Sequence, residues 1–348
     1  MKHTIITLML VMCCISAVAQ QPVQGTSYYL PKTGLRFALL IEKTTFTPGP
    51  YAMYAERYLK AKAPTESSVT YRIISKQLSL FSVPDSSKHY TLLIDKKRSV
   101  LTVDLDNHNV LKAINAKAKD YALPAAFRPA RKAARPQLRD FMTEDMVNAG
   151  SSAKTAELIA QEIYDIRDSR NQLSRGEADN MPKDGAQLKL MFAQLQTQEQ
   201  TLSEAFMGTQ QKDTVEQIVT FVPDKEVNKQ LLFRFSAKFG ITDNDDLAGI
   251  PYYISVTDEH VIPPMPVDVD DKKKKDKEDI GLYVNLPGKI KVQLYKEEKP
   301  EEYFEPYAAQ FGRIESLSAE LFGKKMTTHI VLNPINGNIE SMATEPLD

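Results

Sequence analysis

The chain has 348 residues, 42% of them apolar and 26% charged, with a formal net charge of -1. That balance supplies no global attraction to nucleic acid or to membrane phosphates, and a chain of this length and apolar content has material for two hydrophobic cores. The only cysteines are the adjacent pair Cys13 and Cys14.

Residues 1–19 read as a secretory signal peptide. Lys2 and His3 precede an apolar stretch over 5–18, and Ala17-Val18-Ala19 supplies a small-x-small cleavage site. The apolar run is shorter than the roughly 20 residues a membrane-spanning helix needs. Leu10-Val11-Met12-Cys13 has the apolar residue three before a cysteine that lipid attachment prefers, but Met12 stands where a small residue belongs. Cleavage after Ala19 removes both cysteines, and with them disulfides, thiolate nucleophiles and cysteine-ligated metals. No later segment has transmembrane length, so the expectation is an exported, soluble mature chain in the periplasm or against the outer membrane.

The stretch 20–122 reads as a β-rich domain with one short helix. A strand and turn over 27–34 lead into a long strand over 35–46, closed by Pro48-Gly49-Pro50. Tyr51, Tyr54, Ala55, Tyr58 and Leu59 recur at helical spacing until Pro64. Alternating or β-branched runs at 69–80, 90–94 and 100–105 predict further strands, with Asp85-Ser86-Ser87 and Asp95-Lys96-Lys97 as turns. Residues 123–150 change character: Pro124, Pro129 and Pro136 alternate with Arg128, Arg131, Lys132, Arg135 and Arg139, which describes a basic, extended connector.

Residues 151–210 predict a helical hairpin. Ile159, Ile163, Ile166 and Leu173 form one stripe, with Ser151 or Ser152 as cap and Gly176 as stop. Asp184 caps a second helix, with Gln187 placed for a capping box, and its stripe of Leu188, Met191, Leu195, Leu202 and Phe206 ends at Gly208. Narrow stripes suit two antiparallel helices that bury each other and leave broad polar faces outside. Residues 211–348 return to β, with strands at 215–222, 230–239, 252–256, 282–286 and 289–295. Turns fall at Pro223-Asp224, Asn244-Asp245-Asp246 and Pro287-Gly288, and a last hairpin pairs 328–332 with 339–342. Within it, 268–279 carries Lys272-Lys273-Lys274-Lys275 among acids and predicts a mobile charged loop. The fold class is therefore α+β, two mainly antiparallel β domains flanking a long antiparallel helical hairpin.

No motif names a chemistry. His89, His108, His260 and His329 are far apart and show no H-E-x-x-H spacing, so no metal is expected. The least implausible ligand cluster is His260 beside Asp258 and Glu259. Asp243, Asp245 and Asp246 invite calcium, but Gly249 is the seventh position and Val256 the twelfth, where an EF-hand needs glycine sixth and glutamate twelfth. There is no G-x-S-x-G, S-x-x-K or glycine-rich phosphate loop, hence no expected cofactor. Paired carboxylates converging from distant strands, as in glycoside hydrolysis, leave a hydrolase as the third reading.

Two constellations are candidates for binding. The chain has no tryptophan and 15 tyrosines, so a glycan would have to stack on tyrosine rings. Tyr28-Tyr29 and Tyr252-Tyr253 are the paired platforms, of which one ring each can face a surface, and Tyr28 and Tyr252 are taken as the representatives. On the first helix, Arg167 and Arg170 are neighbours at i,i+3 that need compensation. Asp168 is one source of it; an anionic partner or the adjoining sheet domain is another.

The block Tyr28-Tyr29-Leu30-Pro31-Lys32-Thr33 leads a set of segments with a family likeness. With Ile41-Glu42-Lys43-Thr44, Pro48-Gly49, Tyr54-Ala55-Glu56-Arg57-Tyr58-Leu59 and Ile163-Tyr164-Asp165-Ile166-Arg167, it resembles secreted Bacteroidetes proteins of the domain of unknown function 4831 family. The resemblance implies an exported, envelope-associated protein of a two-membrane bacterium and brings no catalytic residues. The expected function is a non-catalytic structural or interaction module that docks an envelope protein through the helical hairpin. A ligand-binding module, with a glycan as the ligand, is the runner-up.

Overall fold

The computed structural model describes residues 25–93, 100–178, 181, 184–263, 279–323 and 325–346. The signal-peptide reading over 1–19 and nearly all of the charged loop over 268–279 lie outside the described residues. In chain order the strands of the first part are β1 (Gly25–Thr47), β2 (Ser68–Leu93), β3 (Val103–Leu105) and β4 (Leu111–Ile114), with helix α1 (Ala55–Leu59) between β1 and β2. Helices α2 (Glu144–Val147), α3 (Ser152–Arg175) and α4 (Gly185–Met207) follow. The remainder is β5 (Thr209–Phe221), β6 (Val227–Ser236), β7 (Gly240–Thr242), β8 (Ile250–Asp258), β9 (Asp279–Lys296), β10 (Lys299–Phe304), β11 (Tyr307–Ser318), β12 (Met326–Leu332) and β13 (Ile339–Pro346). The molecule is α+β with mainly antiparallel sheets.

Strand pairing does not follow the linear order of the chain. One sheet runs β2-β1-β5, a second β10-β9-β8-β6-β7 with β11 also on β9, and a third β13-β12-β4-β3. The stretches 20–122 and 211–348 thus contribute jointly to two of the three sheets, through β1 with β5 and β4 with β12.

Two long strands join the cores. On β1, alternate residues Leu35, Phe37, Leu39 and Ile41 pack against Phe233 and Phe235 of β6, Ile254 and Val256 of β8, and Val292 and Leu294 of β9. The N-terminal part of the same strand sends Tyr28 and Leu30 into a second core with Leu111, Ile114, Ile330 and Leu332, where Leu282 and Val284 of β9 also lie. Period-two side chains on one continuous strand explain how it can serve both cores.

The predicted break near residue 34 is absent, because β1 absorbs Pro31 at an irregularity between Tyr29 and Pro31. The expected turn Asp85-Ser86-Ser87 is the other side of that irregularity. The Asp85 carboxylate accepts from the Ser87 N–H at 3.1 Å and from its hydroxyl at 2.7 Å, so the turn chemistry is real but closes a bulge inside β2. Pro287-Gly288 likewise lies within β9. There β11 crosses so closely that a Cβ on Gly288 would sit 2.0 Å from the Phe311 carbonyl oxygen, and one on Gly312 would sit 1.8 Å from that of Leu286. Those glycines serve a backbone crossing and not a reversal.

The short helix predicted to run to Pro64 stops at Lys60, in the left-handed region at φ 54°. Helices α3 and α4 are closed by local chemistry. Ser151 Oγ accepts from the Lys154 N–H, and Gly176 ends α3 at φ 74°. Asp184 accepts from the N–H groups of Ala186 and Gln187, and Gly208 ends α4 at φ 81°. Ile159, Ile163 and Ile166 share a core with Leu202 and Phe206, against Ala55 and Met146. The pair is tied to the first sheet by a close approach: the Tyr51 N–H donates to the Ala205 carbonyl at 2.9 Å. A Cβ on Gly49 would meet that carbonyl oxygen at 2.3 Å. Among the described residues no helix is long and apolar enough to cross a membrane.

Candidate functional site

Helices α3 and α4 are unevenly sealed along their length. Near the sheet, Ile163 and Phe206 are fully buried and Leu202 nearly so. Toward the 178–184 end, Leu188, Met191 and Leu195 of α4 are only half-buried. There the helices enclose a groove of about 410 Å³ lined by Ser169, Gln172, Leu173, Met191, Gln194 and Leu195. Leu190, one turn before Gln194, is 66% exposed beside it. The groove has an apolar floor and neutral polar edges, so it can receive an apolar side chain and satisfy a neighbouring backbone group.

Next to the groove, Arg167 and Arg170 converge on one acid. Arg167 Nε donates to one Glu199 carboxylate oxygen at 2.6 Å and Arg170 to the other. Arg167 also lies over the Tyr164 ring, 5.7 Å from its centroid. Asp168 is engaged elsewhere, accepting from Gln172 Nε2 at 2.8 Å. The compensation for the arginine pair therefore comes from α4. Nothing in the sequence around Glu199 distinguishes it from the other polar residues of α4; only its height opposite Arg167 does.

The tyrosines have other roles. Tyr28 is fully buried, donating its hydroxyl to the Gly281 carbonyl at 2.9 Å and accepting from the Tyr283 N–H at 2.7 Å. Tyr252 is 4% exposed, with its ring stacked on Phe233 at a centroid distance of 4.6 Å. Neither ring presents a face on which a sugar could stack, because each is half of a core contact. Tyr29, the outward neighbour, is stacked on His89 at 4.6 Å.

The other ionisable groups weighed from sequence are dispersed. His260 sits at φ 52° with Nδ1 2.9 Å from Asp258 Oδ2, and His329 Nδ1 meets the Asn115 carbonyl. Asp243 and Asp246 shape a turn, in which the Asp246 N–H donates to the Asp243 carbonyl at 3.0 Å. Among the described residues no three His, Cys, Asp or Glu side chains are grouped to hold a metal ion.

Further cavities lie at the sheets. One of about 460 Å³ is bordered by Phe81, Leu105, His108, Lys112, Tyr121 and Ile335, and its lysine is already paired with Asp120 at 3.0 Å and Asp104 at 3.7 Å. Another, of about 350 Å³, is bordered by Asp258, His260, Ile262, Phe311 and Arg313, and one of about 250 Å³ contains Tyr252 among its walls.

The segment 28–33 is a junction. Lys32 binds Asp224 at 2.7 Å and approaches buried Asp85 at 3.7 Å. The Pro31 carbonyl accepts from Asn285 Nδ2 at 3.0 Å. Buried Thr33 accepts from the Ala309 N–H at 3.1 Å, and its own N–H donates to Gln310 Oε1 at 3.0 Å. These contacts reach β2, the loop after β5, β9 and β11, so the segment ties sheets together. No curated protein and no solved structure matches the chain. The model of one family, the domain of unknown function DUF4831, matches residues 24–340, and the chain belongs to that family.

Proposed function

We propose that the protein is exported and acts as a non-catalytic interaction module of the cell envelope, in which α3 and α4 form an antiparallel hairpin that carries the docking surface. The observation behind this reading is the groove at Leu173, Met191 and Leu195, left open on two helices that are otherwise capped and packed. An apolar seam with a polar rim is the arrangement that receives a partner's side chain. The export half of the reading rests on the composition of residues 1–19.

A photo-crosslinking residue at Gln194 in the tagged full-length protein, expressed in its own cells, tests this reading. One defined adduct should form at Gln194, be absent when the crosslinker is moved to the exposed position Glu157 of α3, and disappear in the Met191→Glu variant. A protein that gives only uncrosslinked monomer at Gln194 would defeat the proposal. The mass of the mature chain, expected to begin at Gln20, tests the export half separately.

A further inference from the structure

Residues 121–139 carry Arg128, Arg131, Lys132, Arg135 and Arg139 and not one acidic residue, in a chain whose formal net charge is -1. The chain as a whole attracts no anion, but at distances within the roughly 8–10 Å over which salt screens, the local charge decides. Every residue of 119–137 is exposed, and none of them lies in a helix or strand. Large apolar side chains are exposed beside the cations: Tyr121 at 48%, Leu123 at 49% and Phe127 at 37%.

The contacts with β5 sort these cations. Lys132 pairs with Asp213, and Arg135 donates to the Gln210 carbonyl at 2.9 Å, so those two fasten the segment to the strand. Arg128, Arg131 and Arg139 are exposed, and none has a carboxylate of a described residue within 4.0 Å. Because the ribbon that carries them is already fastened, a partner meets the three guanidinium groups without first having to order the chain. The apolar residues narrow what that partner is. A soluble polyanion would satisfy the arginines and leave Leu123, Ala125, Ala126 and Phe127 in water. A lipid surface takes both: headgroup phosphates accept from guanidinium in bidentate fashion, while aromatic and aliphatic side chains settle at the headgroup level.

We propose that the connector over 121–139 is a peripheral contact surface for an anionic phospholipid membrane, with Arg128, Arg131 and Arg139 on the headgroup phosphates and Tyr121, Leu123 and Phe127 among the headgroups. The inference stands on the connector alone and is independent of the helical groove. A basic side chain at such a surface strengthens binding roughly fivefold, and raised salt removes the gain.

Co-sedimentation of the full-length protein with vesicles of phosphatidylcholine alone, and of phosphatidylcholine and phosphatidylglycerol in equal parts, tests it. The apolar stretch 5–18 is common to every sample, so the differences between vesicles and between variants are what is read. The anionic vesicles should bind at least about tenfold more tightly, with the difference shrinking as salt rises. Replacing Arg128, Arg131 and Arg139 together by glutamine alters only exposed side chains and should weaken binding to the anionic vesicles at least about tenfold. The same charge change made at the exposed Arg175, Lys238 and Lys299 should leave that binding within about twofold of the parent. Leu123→Ser with Phe127→Ser should weaken it roughly tenfold. The proposal is overturned if the two kinds of vesicle bind alike or if the connector arginine variant binds anionic vesicles as tightly as the parent. It is equally overturned if the Leu123 and Phe127 variant does so, an outcome that would assign the segment to a soluble polyanion.

Discussion

Arg167 of α3 donates its Nε proton to Glu199 of α4 at 2.6 Å, and through that carboxylate the two helices are charge-locked next to the open end of their seam. Arg170 occupies the second oxygen of the same carboxylate. Replacing Glu199 by glutamine leaves two arginines facing a neutral amide. The Glu199 side chain is only 15% exposed, but Arg167 is 44% and Arg170 38% exposed, so solvent screens much of the attraction. The expected cost is about 1 kcal/mol at low salt, shrinking as salt rises. Denaturant unfolding of Glu199→Gln, Arg167→Gln and the double variant at two ionic strengths measures it. A double-variant cost equal to the sum of the single costs would show that the pair is uncoupled.

Tyr28 illustrates a residue type that is ambiguous in sequence and decided by tertiary contacts. Its hydroxyl both donates to the Gly281 carbonyl and accepts from the Tyr283 N–H, joining β1 to β9 across the second core. Tyr28→Phe keeps the ring in its packing and takes both bonds away from backbone groups on β9. The expected destabilisation is about 1–3 kcal/mol, read by thermal or chemical unfolding. Tyr29→Phe, one residue on, removes no contact of this kind and serves as the control; equal losses in the two variants would contradict the role given to Tyr28.

That contrast shows where sequence reasoning reaches and where it stops. Ser151, Gly176, Asp184 and Gly208 act within a few residues of themselves, so their capping roles are legible from local chemistry alone. The stripe of Ile159, Ile163, Ile166 and Leu173 is legible for the same reason, since one face of a helix must be apolar to be buried. Gly288 misleads because the same residue suits a turn and a backbone crossing, and only the path of β11 decides between them. The strand β10 escapes notice because its sequence, Lys299-Pro300-Glu301-Glu302, is charged and edge-like. Glu199 and the cavity beside Tyr252 are invisible in sequence, being made by heights and registers of elements far apart in the chain.

The basic connector has a physical seat on the sheet. Its residues 119–137 are exposed throughout, and they run past the outer edge of β5. Arg135 donates to the Gln210 carbonyl at 2.9 Å, Lys132 pairs with Asp213, and the Phe127 N–H donates to Glu216 at 3.0 Å. The acceptors are spaced three residues apart on an edge strand, so the connector covers backbone that would otherwise invite another strand. Lys132 holds the Asp213 carboxyl below its ordinary value. With a depressed folded value, the contact persists above the ordinary carboxylate range and is lost as pH falls through the depressed one. An arginine-specific protease should cut first at Arg128, Arg131 or Arg135, and Asp213→Asn or raised salt should speed that cut by a few-fold. First cleavage elsewhere, with no effect of salt, would show that the connector is not pinned in this way.

Tyr252 makes an alkaline prediction of defined sign. Its hydroxyl is raised from the ordinary 10.0 to about 12, first by burial and then by the nearby Glu301 carboxylate. Between those two values the unfolded chain has released the proton and the folded chain still holds it, so the folded state binds more protons and stability falls as pH rises. The loss begins near pH 10 and is complete only above about 12; two units correspond to roughly 3 kcal/mol as an upper figure. Tyr90, raised by burial, and Tyr303, raised by its bond to Glu305, add to the late titration of tyrosinate absorbance. Comparing the parent with Tyr252→Phe isolates the one group: the variant should lose the latest step of the absorbance titration and should unfold with a shallower pH dependence across the same window. A variant whose titration retains that last step would place the perturbed hydroxyl elsewhere in the chain.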